Sequence, residues 1–394
     1  MQIGVVGKTN TGKSTFFSAA TLVDVEISNR PFVTIKPNQG TSFVTARCVH
    51  SEIGKQCNPQ NSKCANGVRM IPITLLDVAG LVPNAHEGKG LGNQFLNDLM
   101  QAQALVHVLD ASGRTDFEGN PCTDHDVCGD VRFLEREIAY WIKGILSKNW
   151  HAIAKKAIVE KKSIPALASQ LTGLGISEND VKEVVKKQDF SENIEAWSEG
   201  EMLRFSQEIQ KESKPILIAA NKVDLPESKE NIEKLRKEFP EKKIIPVCAE
   251  AELALRKAER QGLIDYIPGN KEFKVLKELS EKQKKALEFI QEKVLNVWGS
   301  TGVQQAINAT AFELLDLIVA YPVEDAHKWV DSKGNVLPSA FLLKKGSNAL
   351  DLALKVHSSF GERFIAAIDC KTSQKIGKEH ELKNNDVVKI QLSH

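Results

Sequence analysis

Hydrophobic residues fall along the chain in two rhythms. Residues 2–6, 71–76, 104–110 and 215–220 are short, nearly unbroken apolar runs. They are too short for helices and too continuous for half-exposed strands, so they predict strands covered on both faces, as in a parallel sheet. A fifth such strand is predicted at 243–247, after a helical stretch at 229–239. From 131 to 213 the rhythm changes. Phe133, Leu134, Ile138, Trp141, Ile142 and Ile145 recur every three or four positions, and 158–169 and 180–187 continue in that style. This predicts an all-helical insertion. After 340 the order is strand (341–347), helix (349–357), then alternating strands around 364–368 and 385–390 with polar turns. Strands alternating with helices predict an α/β fold: a doubly wound, mostly parallel sheet with ligand outside the strands' carboxyl ends.

The polar residues at the ends of these strands carry the chemistry. Between the first strand and a helix from Ser14 lies Gly7-Lys8-Thr9-Asn10-Thr11-Gly12-Lys13-Ser14, followed by Thr15. It fits the phosphate-loop pattern G-x-x-x-x-G-K-[ST] at every fixed position. In such a loop the backbone N–H groups and the helix N-terminus cradle phosphates. Lys13 brings a charge to the outer phosphates, and the Ser14 hydroxyl suits magnesium. Residues 29–40 form a proline- and asparagine-rich loop whose one well-placed hydroxyl is Thr34, a candidate to close over the magnesium ion; it also fits an ordinary surface loop. Asp77-Val78-Ala79-Gly80 ends the next strand. Its carboxylate is placed to hold magnesium, and the Gly80 N–H to meet the terminal phosphate. The glycine-rich run 87–92 reads as a switch leading into a helix at Asn93. Asn221-Lys222-Val223-Asp224 follows another strand. Asp224 can accept two hydrogen bonds from the guanine edge, a donor pair that adenine lacks. Asn221 and Lys222 are expected to pack this loop against base and phosphate loop. At Cys248-Ala249-Glu250, a backbone N–H near Ala249 is expected to reach the guanine O6.

Composition narrows the setting. A net charge of +1 gives no global attraction to nucleic acid or acidic lipid, so neither DNA nor membrane is an expected partner. No apolar run nears the roughly 20 residues that span a bilayer, and the chain opens on a strand rather than a signal peptide. With seven cysteines, an odd number, a disulfide scaffold is not expected and the reading is cytoplasmic. Cys48, Cys57 and Cys64 lie in a polar, turn-rich stretch (48–69) that looks like a long hairpin, and Cys122, His125 and Cys128 share another loop. Such spacing permits zinc, but neither group forms paired C-x-x-C motifs, so free thiols are expected.

The segments 29–40, 77–96 and 300–308, with the four motifs in order, resemble the Obg-related, YchF-type GTPases, in the archaeal and eukaryotic branch that keeps N-K-x-D. The resemblance spans nearly the whole chain. The residues after 320 look like a TGS domain, a small β-grasp module found in proteins that touch structured RNA or the ribosome. Its basic side chains here (Lys344, Lys345, Lys355, Arg363, Lys371, Lys375, Lys378) are mixed with carboxylates, without interleaved aromatics. Better-known YchF members favour ATP through a degenerate base motif; Asn221, Lys222 and Asp224 restore the expectation of GTP. Leu81 stands where Ras-like enzymes carry a water-orienting glutamine, so the resemblance implies catalysis from elsewhere. Related enzymes often hold a potassium ion with a phosphate-loop asparagine, which Asn10 matches. The family also carries a histidine associated with hydrolysis that His107 matches; a lone histidine in an apolar strand equally fits a core residue. His86, in the switch, is a weaker candidate.

The expected organisation is a nucleotide-binding domain (1–130 and 214–320), a helical insertion (131–213) and a TGS domain (321–394). The expected activity is slow hydrolysis of GTP to GDP and phosphate, with magnesium and a potassium ion, as a switch associated with the ribosome or structured RNA through the TGS and helical parts. The alternatives are a nucleotide-gated ribosome- or RNA-binding module with incidental hydrolysis, or ATP use as in other YchF-type members.

Overall fold

A computed structural model describes residues 1–21, 38–78, 99–160 and 162–393. Two compact units emerge: residues 1–40 with 74–306, and residues 41–73 with 307–394. The first holds the parallel sheet. Strand β1 (Gln2–Val6) enters the phosphate-loop segment, which opens helix α1 (Lys13–Thr21). Strands β2 (Asn38–Arg47), β3 (Lys63–Ala65) and β4 (Val68–Asp77) follow, and the boundary between the units falls inside β2 and β4. Strand β1 lies between β4 (Gln2 opposite Thr74) and β5 (Ala104–Asp110; Ile3 opposite Ala104), parallel to both. Beyond β5 come β6 (Ile216–Asn221) and β7 (Ile244–Pro246), also parallel, giving the order β2-β4-β1-β5-β6-β7. Every residue of β5 and β6 is buried, which accounts for their unbroken apolar sequence.

The expected helical insertion is present as α2 (Val127–Lys148), α3 (Trp150–Glu160), α4 (Ser163–Leu171), α5 (Glu178–Lys187) and α6 (Glu199–Ser213). Helix α2 starts at Val127 because the Asp126 side chain accepts the Cys128 N–H as N-cap. Ser177 with Asp180, and Ser198 with Glu201, form capping boxes that start α5 and α6. An aromatic cluster of Trp150, Phe190, Trp197 and Phe205, with centroids 5.2–5.8 Å apart, locks these helices together. Helix α7 (Ser228–Glu238) follows β6, and α8 (Ala249–Arg260) follows β7.

The second unit contains the β-grasp sheet, with one difference from the expected domain limits: it begins at 307 and takes in residues 41–73. Its strands are β10 (Leu317–Val323), β11 (Phe341–Lys344), β12 (Phe364–Asp369), β13 (Gln374–Ile376) and β14 (Asp386–Leu392), after a two-residue pair β8 (Ile264–Asp265) and β9 (Lys274–Val275) in the first unit. The order is β11-β10-β14-β12-β13, with β10 and β14 parallel and the remaining pairs antiparallel. Residues 41–73 belong here for a physical reason. Asn58 and Asn61 are hydrogen-bonded to the 335–340 backbone, and Cys48, Val49, Cys57 and Ile71 share a core with Tyr321, Trp329 and Leu337. The expected hairpin is realised by β3 and β4, closed at Asn66-Gly67, where both residues have positive φ (48° and 79°). That is the geometry for which Asn-Gly is favoured.

Candidate nucleotide-binding site

The phosphate-loop segment is tightly enclosed. A Cβ on Gly7 would lie 2.4 Å from the Val108 carbonyl oxygen, and one on Gly12 would lie 2.2 Å from Asn221 Nδ2. Only glycine fits at either place. Between them Asn10 adopts the left-handed conformation (φ 63°) that asparagine tolerates, and its side-chain N–H donates to the Gly119 carbonyl at 2.9 Å. Thr11 is buried, its hydroxyl donating to the Lys8 carbonyl. Thr15 is half-buried in the first turn of α1, while Ser14 is exposed there.

Lys13 and Asp77 come from motifs 64 residues apart, and the ammonium lies 2.5 Å from Asp77 Oδ1. The structure therefore brings the lysine of the phosphate-loop motif and the strand-end carboxylate to one point. With the exposed Ser14 hydroxyl, Asp77 offers the hard oxygen donors that suit magnesium. Thr34, Gly80, Leu81 and His86 lie outside the described residues.

Asn221 joins the two halves of the site. Its Nδ2 donates to the Thr11 carbonyl (2.8 Å), and its Oδ1 accepts the Ala249 N–H (3.0 Å). The residue is buried, so it clamps the phosphate loop to the segment at 248–250. Of the N–H groups near the expected base contact, that of Ala249 is thus held by Asn221. Glu250 is exposed on the first turn of α8. Lys222 has a left-handed backbone (φ 67°) and places its ammonium 2.8 Å from Asp110 Oδ2. Burial alone would raise the Asp110 carboxyl, but hydrogen bonds from Lys222 and Ser112 and the Lys222 charge outweigh it and hold it below the usual carboxylate range. Asp224 is half-buried and accepts from the Cys248 thiol at 3.3 Å. Burial first, then the Asp224 charge, pushes that thiol up to about 12, so it remains a neutral donor. The segment 300–302 supports this loop: Cys248 N–H donates to the Thr301 carbonyl (2.8 Å), and the Thr301 hydroxyl donates to buried Glu252 on α8.

His107 sits on β5 opposite Val6 and Ile218, 4% exposed. Burial first, then the Lys8 and Lys242 charges, lowers it to about 3, so the imidazole is neutral, and its Nδ1 has no hydrogen-bond partner among the described residues. Its surroundings are those of a sheet-interior residue.

Several residues that build the site are not signalled by any motif. Lys8, at a variable loop position, is buried with its ammonium 2.8–2.9 Å from both Asp130 oxygens and 2.8 Å from the Thr115 carbonyl. His125 Nε2 lies 2.8 Å from Asp130 Oδ1. The 113–130 segment, legible only as a loop, is thereby pinned to the phosphate loop through Thr115, Gly119 and Asp130. Asp110 was detectable in principle, because like Asp77 it ends an apolar strand. Lys8 and Asp130 were not, being 122 positions apart.

Comparison with known proteins finds relatives along the whole chain. Residues 2–140 match a family model described as a 50S ribosome-binding GTPase, 219–325 one described as an Obg-like GTPase YGR210-like, G4 motif-containing domain, and 332–391 a TGS domain. A GTP-binding protein of Methanocaldococcus jannaschii is 50% identical over 388 residues, covering 98% of each chain. The crystal structure of a GTP-binding protein from Pyrococcus horikoshii superposes with a TM-score of 0.81 at 44% identity, covering 100% of both chains. The ribosome-binding ATPase YchF of Bacillus subtilis is 26% identical over 428 residues, 99% of this chain and 98% of that protein. Among the described residues no helix is long and apolar enough to cross a membrane. On the motifs, the clamp that joins them and the extent of these matches, the chain belongs to the YchF-type Obg-family GTPases, with a GTPase domain and a C-terminal TGS domain.

Proposed function

We propose that the chain hydrolyses GTP to GDP and phosphate slowly, as a switch whose turnover is stimulated on the ribosome. The observation that carries the base choice is the Asn221 clamp between Thr11 and Ala249, with Asp224 held by the Cys248 thiol beside it. A buried clamp of this kind fixes the distance between phosphate loop and base pocket before ligand arrives, so binding energy is not spent on ordering the loop. Asp224 then discriminates by charge and hydrogen-bond polarity: guanine presents two adjacent donors, whereas adenine sets its single amine donor beside an acceptor nitrogen.

In this reading the loop amides and Lys13 stabilise charge that develops on the terminal phosphate as water attacks in line. Ser14 and Asp77 would hold magnesium, which when bound would supply positive charge to the outer phosphates. Asn10 is the candidate for a potassium ion; its side-chain N–H is engaged by Gly119, which leaves the amide oxygen as the only donor it can offer. His107, neutral and enclosed by the sheet, acts by positioning β5 behind the loop rather than by moving a proton. With Leu81 in place of a glutamine, unaided turnover is slow.

The ribosome enters from the TGS domain and from relatives described as ribosome-binding. The basic side chains of the TGS region are exposed, but several are engaged: Lys371 with Glu52, Lys345 with Asp316, Arg363 with the Ser393 carbonyl. This favours a docking surface of mixed charge over a strongly basic RNA groove. The test is GTP turnover with and without ribosomes, in potassium and in sodium. Stimulation by ribosomes supports the switch, and a further gain in potassium over sodium supports Asn10 as a cation ligand. No stimulation in any combination would overturn the proposal in favour of a binding module with incidental hydrolysis.

A further inference from the structure

We propose that Cys48, His50, Cys57 and Cys64 form a structural zinc site in the C-terminal unit. Among the described residues this is the one group of three or more metal-ligating side chains that converges, and its four ligand atoms all lie within 4.8 Å of one another. The sequence names three of them as cysteines of a polar hairpin. The fourth, His50, is supplied by the 3-10 turn Val49–Glu52 that follows Cys48.

The spacing is that of a single tetrahedral ion. With Zn–S near 2.3 Å and Zn–N near 2.0–2.1 Å, a tetrahedron places two sulfurs about 3.8 Å apart and a sulfur and nitrogen about 3.6 Å apart. Here Cys48 Sγ and Cys57 Sγ are 3.7 Å apart, Cys64 Sγ and His50 Nδ1 3.6 Å, and Cys57 Sγ and His50 Nδ1 3.2 Å. So compact a set has room for one ion and not for a cluster of several irons. Three cysteines and a histidine are also a common structural zinc set.

A second, independent observation is charge. Arg69 lies directly across the β3–β4 ladder from Cys64 and is fully buried. Its Nη2 donates to the Leu337 carbonyl (2.7 Å) and its guanidinium faces the Tyr321 ring, but Nε and Nη1 have no hydrogen-bond partner, and no carboxylate pairs with it among the described residues. A buried, unpaired guanidinium is costly. Zinc with three thiolates and a neutral imidazole carries a charge of −1, which balances Arg69. A Cys48–Cys57 disulfide would supply no charge and would leave Cys64 and His50 without a role. The ion would close residues 48–64 into a rigid loop; metals commonly staple such segments.

The test is metal content. Untagged full-length protein, dialysed exhaustively, is expected to carry about one zinc per chain. Cys57→Ser and Cys64→Ser each remove most of it, while Cys122→Ser, in the loop where His125 is taken by Asp130, leaves it unchanged. Because a serine variant can misfold, the wild-type chain is also loaded with cobalt, which should give the intense visible bands of tetrahedral cobalt with thiolate charge transfer, abolished by added zinc. Protein that lacks metal and stays silent with cobalt would overturn the site, as would a Cys48–Cys57 disulfide in the isolated protein.

Discussion

Two parts of the chain take reactive side chains out of water, and they do so in opposite ways. Around the phosphate loop the buried and half-buried charges come in pairs: Lys8 with Asp130, Lys222 with Asp110, Lys13 with Asp77. In the 48–69 hairpin, three thiols and an imidazole gather beside an arginine that has no anion among the described residues. The first arrangement is complete in itself, so it can stand preformed and wait for ligand. The second is balanced only when something carrying positive charge turns its thiols into thiolates. A site that binds and releases is built from closed pairs; a site that binds once and holds can leave its charge open.

The comparison can be broken most severely at Asp130. Asp130→Ala strands the Lys8 ammonium and is expected to cost about 3–5 kcal/mol, read as a large fall in denaturation midpoint. Lys8→Met with Asp130→Leu should recover most of that; if the double variant is no better than the single, the pair is not the unit claimed here.

Next in size is an effect of pH. His107 is lowered to about 3 in the fold and has an ordinary value near 6.5 when unfolded. Its contribution is fully present above about pH 6.5 and is lost as pH falls toward 3, because only the unfolded chain takes up the proton. At pH 4 this destabilises by about 3 kcal/mol relative to pH 7.5. His107→Leu should flatten that acid limb, with turnover at pH 7.5 changed only a few-fold. A loss of turnover of several hundred-fold with stability intact would instead make the residue catalytic.

Asn221→Ala removes both arms of the clamp and is expected to cost about 2 kcal/mol of nucleotide affinity, chiefly as faster release. Equal weakening of a phosphate-only ligand such as pyrophosphate would contradict its role as a joint between loop and base pocket. The smallest effect belongs to Arg114 and Glu227, paired but half-exposed at 51% and 45%. Arg114→Ala should leave the melting temperature where it was, since such pairs are screened by water.

The same contrast explains what could be read before the structure. The convergence of the 7–15 segment, Asp77 and Asn221 to Asp224 was legible because each lies in a contiguous motif at a strand end, where the parallel fold must deliver it. Strands β1, β5 and β6 were legible because burial on both faces leaves no polar position to interrupt them. The brace formed by Lys8, Asp130 and His125 was not, because pairing across 122 residues leaves no local trace. Residues 41–73 were placed with the nucleotide-binding part because they lie between its strands in sequence. Their side chains, Asn58, Asn61 and Arg69, bond instead to residues 335–340, some 270 positions on. His50 was overlooked because irregular cysteine spacing gave no reason to count it as a fourth ligand.

The claim at the centre is that the Asn221 clamp and Asp224 make this a guanine site. Equilibrium competition of GTP, ATP and xanthosine triphosphate on the wild-type chain and on Asp224→Asn tests it directly. The account predicts that GTP outcompetes ATP by about 100-fold or more on the wild type, consistent with loss of two hydrogen bonds to a charged group. It predicts that Asp224→Asn weakens GTP and improves xanthosine triphosphate. ATP competing equally with GTP, or Asp224→Asn leaving the order of preference unchanged, would contradict it.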